Sequence, residues 1–158
     1  MSKTKARTPD ALRLLKDDHD KVKDAFRQFE KMDRSDAATC RELVASVCAD
    51  LRVHSMLEEE ILYPAVREAI DDEDLMNEAT VEHETADTLI EQLEGMEPDD
   101  PNYFATFTVL GEYVNHHVEE EEGEMFPQAR KAKSLDLAAL GERIQSRKAE
   151  LTAEMEEA

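Results

Sequence analysis

The sequence of 158 residues contains no tryptophan, only four glycines and only five prolines. So few turn-forming residues disfavour a protein of many short strands and favour long, uninterrupted helices. No stretch approaches the roughly 18 apolar residues that a membrane-spanning helix requires. Basic residues are also scarce, 19 against 39 acidic ones, which gives a formal charge of −20. Because phosphate backbones and anionic lipids repel such a chain, we expect neither nucleic acid nor a membrane surface as a partner.

The cysteine content and the length are typical of a small protein of a reducing compartment. Cys40 and Cys48 are the only two cysteines, and eight residues on one helix separate them by about 12 Å, too far for a disulfide. The basic N-terminal residues have no apolar run behind them, so we expect a cytoplasmic protein without a signal peptide. The length predicts one domain over 1–158, with a core over about 9–130, as a monomer or small homo-oligomer.

Apolar residues recur at alternating steps of three and four in four successive segments, which predicts four amphipathic helices and no strand. Thr8 and Pro9 predict the start of the first helix, over about 9–32, and Ser35 is expected to cap the second. The third follows the acidic turn Asp71–Asp72. The segment 97–102 (EPDDPN) is the clearest loop and precedes the fourth helix.

Two prolines are expected to kink or end helices, and a fifth helix is expected after them. Pro64 in the second helix and Pro127 in the fourth each remove a backbone hydrogen bond and clash with the preceding turn. A last amphipathic stretch, over about 135–155 and beginning at Ser134, predicts a C-terminal helix packed on the others. The fold class is therefore all-α, an up-and-down four-helix bundle with an additional C-terminal helix.

The two halves of the chain repeat one design. His19 and His54 are 35 residues apart, and His83 and His117 are 34 residues apart. When the halves are aligned on these histidines, Glu58 matches Glu121, Pro64 matches Pro127, and Tyr63 matches Phe126. Two helical hairpins of one design imply a pseudo-twofold axis through the bundle.

One histidine falls on the inward face of each of the four helices. A single buried histidine is commonly a hydrogen-bonded core residue, but four are costly to bury without a partner. Glu58 and Glu121 lie four residues after His54 and His117, on the same face one turn away. These two carboxylates require a compensating positive charge, because no lysine or arginine falls on the inward faces. Four imidazoles and two carboxylates without a thiolate suit iron, manganese or zinc.

These residues make the chain resemble the hemerythrin-like HHE cation-binding domain over roughly 10–130. The resemblance rests on His19, on 54–64 (HSMLEEEILYP), on His83 and on 117–127 (HVEEEEGEMFP). It implies a four-helix bundle around a non-haem centre of two iron ions joined by an oxo or hydroxo bridge, with manganese or zinc as substitutes. The ligands that it implies are His19, His54, Glu58, His83, His117 and Glu121.

The chain departs from the oxygen-carrying hemerythrins, which use five histidines and an HxxxxD motif on the last helix. The residue five after His117 is Glu122, and the second motif is HxxxE. The resemblance is therefore to the branch with four histidines and two glutamates, which is linked to oxygen, peroxide, nitric oxide and iron handling rather than to simple oxygen carriage.

Several other residues are candidates for lesser roles. Tyr113, one turn before His117, is either a core aromatic or a hydrogen-bond donor to the centre. His116 is a surface or interhelical residue, a proton-transfer group beside His117, or a ligand. Tyr63 is expected to pack in the core, as its counterpart does. Glu59, Asp87 and Glu124 are weaker candidates for positions around the ligands. The residues of the run 119–122 other than Glu121 are expected to be solvated.

The sequence favours a di-iron protein that reacts with O2, peroxide or nitric oxide, and whether it is an enzyme stays open. If the protein is an enzyme, the leading hypotheses are catalase-like removal of peroxide and nitric oxide chemistry. The alternative is a sensor or iron-handling protein that binds O2, nitric oxide or iron without turnover. The third hypothesis is a metal-free helical bundle with a vestigial metal site.

Overall fold

The computed structural model describes residues 9–157, and every regular element in that range is helical. Seven α-helices and two π-helical segments follow one another. The bounds of α1 to α7 are Ala11–Lys31, Ala37–Leu57, Tyr63–Ala69, Glu73–Glu94, Tyr103–Glu120, Phe126–Lys131 and Leu137–Glu157, and those of the π-helical segments are Glu58–Leu62 and Glu121–Met125. The first π-helical segment joins α2 directly to α3, and the second joins α5 to α6.

Four of these helices close a ring of neighbours. α1 packs on α2, α2 on α4, α4 on α5, and α5 on α1, while α7 covers α1 and α2. The prediction of a four-helix bundle with an additional C-terminal helix is confirmed. The third predicted helix corresponds to α4. It begins after the acidic turn, as predicted, because Asp72 caps it by accepting from the backbone N–H of Leu75.

The first two helices begin later than the sequence predicted. Asp10 caps α1 by accepting from the N–H of Arg13, so Pro9 precedes the helix rather than opening it. Thr8, the expected cap, lies outside the described residues. Asp36 caps α2, because the hydroxyl of Ser35, the expected cap, donates instead to the neighbouring Asp33.

The C-terminal helix also begins later, at Leu137 rather than at Ser134. The carboxylate of Asp136 accepts from the N–H of Ala139 at 3.0 Å, which satisfies one of the unpaired donors of the first turn. The helix continues to Glu157, two residues beyond the expected end.

Pro64 and Pro127 do not end the second and fourth helices, which was one of the two outcomes expected of them. The helix continues through Pro64 to Ala69 and through Pro127 to Lys131, because a π-helical segment precedes each proline. In these segments the N–H of Tyr63 bonds to the carbonyl of Glu58, and the N–H of Phe126 to that of Glu121. The wider turn leaves room for a proline ring that would clash with the carbonyl four residues earlier in an α-helix.

The apolar core of the bundle is divided into two clusters. One contains Leu15 and Met76, and the other contains Val22 and Phe107. Along each helix of the ring, the buried histidine or its glutamate lies at the boundary between the two clusters. Cys40 and Cys48 are buried free thiols in the second cluster, as expected. Within residues 9–157, no helix is both long enough and apolar enough to cross a membrane.

Candidate metal centre

The six side chains that the sequence singled out converge between the two apolar clusters. They form a polar layer of His19, His54, Glu58, His83, His117 and Glu121. α1, α2, α4 and α5 each contribute one imidazole, and each π-helical segment contributes its first residue, a glutamate. Glu58 and Glu121 are 0% and 1% exposed. Buried carboxylates of this kind require a cationic partner.

The donor atoms form two groups that share both glutamates. In the first, Nε2 of His19 lies 3.2 Å from Oε1 of Glu121, and Nε2 of His54 lies 3.3 Å from Oε2 of Glu58. The second group uses the other oxygen of each glutamate. There, Nε2 of His83 lies 2.9 Å from Oε1 of Glu58, and Nε2 of His117 lies 2.9 Å from Oε2 of Glu121. Each glutamate therefore links the two groups.

The spacing of the donor atoms fits two cations. The two Nε2 atoms are 3.2 Å apart in the group of His19 and His54, and 3.3 Å apart in that of His83 and His117. Two nitrogens bound to one ion at about 2.1 Å lie about 3.0–3.4 Å apart. Oε2 of Glu58 and Oε1 of Glu121 are buried and accept no hydrogen bond from any described residue. Because orphaned buried carboxylate oxygens are costly, a cation is the partner that this donor set fits.

A ring of four outer carboxylates holds the other nitrogen of every imidazole. Asp18 lies 3.1 Å from Nδ1 of His54, and Glu59 lies 2.7 Å from Nδ1 of His83. Glu82 lies 2.7 Å from Nδ1 of His117, and Glu122 lies 2.6 Å from Nδ1 of His19. Each helix of the bundle thus orients the histidine of the next, and the ring closes with the symmetry of the sequence repeat.

These hydrogen bonds select the tautomer of the imidazoles. A carboxylate accepts the proton on Nδ1, which leaves the lone pair of Nε2 free to point into the layer. The same contacts make the imidazoles more basic and therefore stronger donors to a cation.

The electrostatics of the layer show how strongly its carboxylates attract positive charge. Burial disfavours the charged form of His54, but the charge of Glu58 and the hydrogen bond to Asp18 outweigh it and raise the pKa to about 10. The pKa of His117 is also raised, because Glu121 and Glu82 outweigh burial. Burial likewise opposes ionisation of Glu58, yet the charge of His54 holds the pKa of that carboxyl well below its usual range. Cation binding at this site therefore displaces protons.

Tyr63 is a functional candidate that sequence reasoning missed. Its hydroxyl donates to Glu121 and lies 3.2 Å from Nε2 of both His83 and His117. Burial and the charges of the two glutamates raise the pKa of this phenol well above its usual range. Tyr63 does pack in the first core cluster, as expected, and its hydroxyl contacts the donor atoms in addition. The repeat matches Tyr63 with Phe126, and the two side chains differ only in the hydroxyl. The match therefore gave no indication of a polar role for Tyr63.

An apolar cavity of about 40 Å³ borders the four imidazoles. A single water requires about 10–15 Å³ of such a volume, so the cavity has room for a molecule of two or three heavy atoms. Its remaining walls are mostly the apolar side chains of the second core cluster, namely Val22, Leu51, Ala86, Ile90, Val114 and Val118. The volume therefore suits diatomic or triatomic molecules.

The lesser candidates lie around the centre rather than in it. Tyr113 is neither a core aromatic nor a partner of the six donors, because it is 45% exposed at the edge of the cavity. His116 is on the surface, with Nε2 3.5 Å from Oε2 of Glu82 and 3.4 Å from Oε1 of Glu120. Asp87 is half-buried, and burial together with the charge of Glu59 raises its pKa. Glu124 is exposed.

The interpretation of the run 119–122 requires a correction. Glu122 was expected to be solvated, but its carboxylate lies on His19. Asp18 and Glu82 were not singled out at all. The repeat contains the signal that would have identified them, because an acid precedes the first histidine of each half and another lies five residues after the second.

The fold and the layer define a helical-bundle protein with a shared histidine–carboxylate centre for cations, and the comparisons with known proteins agree. The family model "Hemerythrin HHE cation binding domain" matches residues 10–129. The chain belongs to this family. A solved hemerythrin HHE cation-binding domain-containing protein from Mycobacterium kansasii is similar in fold, with a TM-score of 0.79 and 23% identity, covering 92% of this chain and 89% of that one.

A curated relative from Nostoc sp. (strain PCC 7120) is much longer. That protein, named "DNA nickase", is 29% identical over 113 residues, which are 72% of this chain and 31% of that protein. The chain thus spans under a third of the length of this relative.

Proposed function

We propose that this protein is a non-haem di-iron protein that reacts with small oxidants, namely O2, peroxide or nitric oxide. The observation that carries the proposal is the position of the two donor groups. Both share Glu58 and Glu121, and both border a cavity of about 40 Å³. A histidine–carboxylate centre beside a small apolar cavity suits a molecule of two or three heavy atoms better than any larger substrate.

The six side chains would coordinate two ions. His19 and His54 would hold one ion, His83 and His117 would hold the other, and Glu58 and Glu121 would contribute to both. Nitrogen and oxygen donors without a thiolate suit iron, and also accept manganese or zinc. A bound pair of iron ions would supply redox equivalents and open coordination positions for the small molecule.

The surrounding residues prepare the site for that chemistry. The ring of outer carboxylates fixes each Nε2 toward the ions, so that little reorganisation is needed when the small molecule binds. The apolar walls of the cavity limit the access of water and of larger reductants. Leu51 and Ile90 belong to these walls.

The experiment that tests the proposal is anaerobic reconstitution with ferrous iron, followed by a metal count and by optical spectra after addition of O2, peroxide or nitric oxide. Two irons per chain and sustained O2 evolution from peroxide are the expected result for the enzyme. A metal content below two ions per chain, or two irons retained by the double variant His54→Ala/His117→Ala, would overturn the proposal.

The alternative is a protein that binds O2, nitric oxide or iron without turnover. The mostly apolar lining of the cavity favours it, because breakdown of peroxide requires proton transfers and the walls add few polar groups to the imidazoles, namely Asp18, Ser55, Glu82 and Tyr113. A reversible optical change on addition of O2, with no consumption of peroxide, would establish this alternative. DNA cleavage is not supported, since the net charge of −20 opposes binding to a phosphate backbone.

A further inference from the structure

The two donor groups differ in one atom, the hydroxyl oxygen of Tyr63. This oxygen lies 3.3 Å from Oε1 of Glu58 and 3.2 Å from Nε2 of both His83 and His117. It also donates to Oε2 of Glu121. It is therefore a close neighbour of all four donor atoms of the second group. Donor atoms that bind one ion at about 2.1 Å in adjacent positions are about 3 Å apart.

Within residues 9–157, no hydroxyl oxygen is found within hydrogen-bond distance of the donor atoms of the first group. The sequence repeat places Phe126 at the position equivalent to Tyr63, and its ring stacks on His19 with the ring centroids 6.0 Å apart. Both orphaned carboxylate oxygens, Oε2 of Glu58 and Oε1 of Glu121, belong to this first group. In the second group, Oε2 of Glu121 accepts from the hydroxyl of Tyr63, and Oε1 of Glu58 lies 2.9 Å from Nε2 of His83.

We propose that Tyr63 is a fifth protein ligand of the metal ion held by His83 and His117. The inference rests on the proposed function, because it requires an ion at each group. As the metal–oxygen bond forms, the O–H bond of the phenol breaks, and the proton passes to solvent. The oxidation state of the ion does not change in this step. Tyrosine is an established iron ligand in other proteins.

The consequence is a centre with two unlike positions. The ion at His83 and His117 has two imidazoles, two carboxylate oxygens and a phenolate, whereas the ion at His19 and His54 has four protein donors. The small molecule therefore binds at the less saturated ion. The extra anionic donor also stabilises the higher oxidation state of its own ion.

The test uses the three tyrosines of the chain, Tyr63, Tyr103 and Tyr113. Each is changed to phenylalanine in the full chain, and each variant is loaded with iron and oxidised to the ferric state. A phenolate bound to ferric iron gives a visible charge-transfer absorption and phenolate vibrations in the resonance Raman spectrum. We expect these features in the wild type, Tyr103→Phe and Tyr113→Phe, and we expect Tyr63→Phe to lack them.

Zinc-loaded protein provides a second readout that is independent of activity and colour. Against a chelator, Tyr63→Phe is expected to release one of its two zinc ions about tenfold faster or more, while the other ion leaves at the wild-type rate. Circular dichroism of the metal-free variants confirms that the helices are retained. Tyr113→Phe, at the edge of the same cavity, is the matched control and should release both ions as the wild type does.

The failures of the two proposals are distinguishable. If the wild type holds two ferric ions and shows no phenolate features, or if Tyr63→Phe keeps them, the ligand assignment is overturned and the di-iron centre stands. If the wild type holds fewer than two ions, both proposals are overturned together.

Discussion

Glu122 provides the sharpest test of the ring of outer carboxylates, because the same acidic run contains its control. The variant Glu122→Gln removes the charge that lies 2.6 Å from Nδ1 of His19. Glu119→Gln removes an equal charge from an exposed side chain three residues earlier. The two variants have the same net charge, so any difference between them reflects the contact with the imidazole.

The expected size of the effect follows from the contact. Outer partners of metal-bound histidines typically contribute 10–100-fold in affinity, which corresponds to about 1.4–2.7 kcal/mol. The side chain of Glu122 is 25% exposed, and glutamine retains an acceptor oxygen. We therefore expect the lower end, a loss of about tenfold in affinity for one of two zinc ions.

The assay is competition with a coloured chelator, monitored until both ions have been removed. Glu119→Gln is expected to match the wild type within about twofold, because exposed charges contribute little. Equal losses in the two variants would refute the ring, since they would show a general charge effect. An unchanged affinity in Glu122→Gln would refute it as well.

Other predictions concern the packing, the thiols and the ions. Gly141→Ala places a Cβ 2.6 Å from the carbonyl oxygen of Pro9, so thermal unfolding should show a loss of about 1–3 kcal/mol. Gly123→Ala, whose Cβ meets no atom within 4 Å, should instead be neutral or stabilising by up to about 1 kcal/mol; the opposite order would contradict the packing of α7. Cys48, whose pKa burial raises to about 11, and buried Cys40 should react with a thiol reagent at pH 8 only on unfolding; rapid labelling of the native protein would contradict this. Removal of metal by a chelator should lower the melting temperature, because ions that bind the folded state stabilise it; an unchanged temperature would contradict a loaded centre.

The bundle was predictable because the periodicity of the chain is regular and its turns are few. Four helices with inward histidines follow from apolar steps of three and four. Helix boundaries were less predictable, since Ser35 and Asp36 are both good caps and the choice depends on a hydrogen bond to Asp33. Local sequence does not decide between two adjacent cap residues.

The helices continue through Pro64 and Pro127 because a π-helical segment, which is a rare geometry, precedes each proline. Proline normally ends a helix, and only a wider turn before it lets the helix continue. Nothing in the local composition distinguishes the two outcomes. The position of Glu58 and Glu121 at the start of these wider turns became evident only in the folded chain.

The inner donors were predictable and their surroundings were not. His54 and Glu58 share one face of one helix, so their spacing alone brings them together. The contact between Glu122 and His19 joins residues 103 apart in sequence, and no periodicity within one helix predicts it. The symmetry of the repeat does contain this information, because Glu59 occupies the equivalent position in the first half.

The measurement that tests the central claim most directly is anomalous X-ray scattering at the iron edge from crystals of the iron-loaded protein. The account predicts two peaks per chain, one bordered by Nε2 of His19 and His54 and the other by Nε2 of His83 and His117, with Glu58 and Glu121 in contact with both. A single peak, or peaks bound elsewhere on the acidic surface, would contradict the assignment of this layer as a centre for two metal ions.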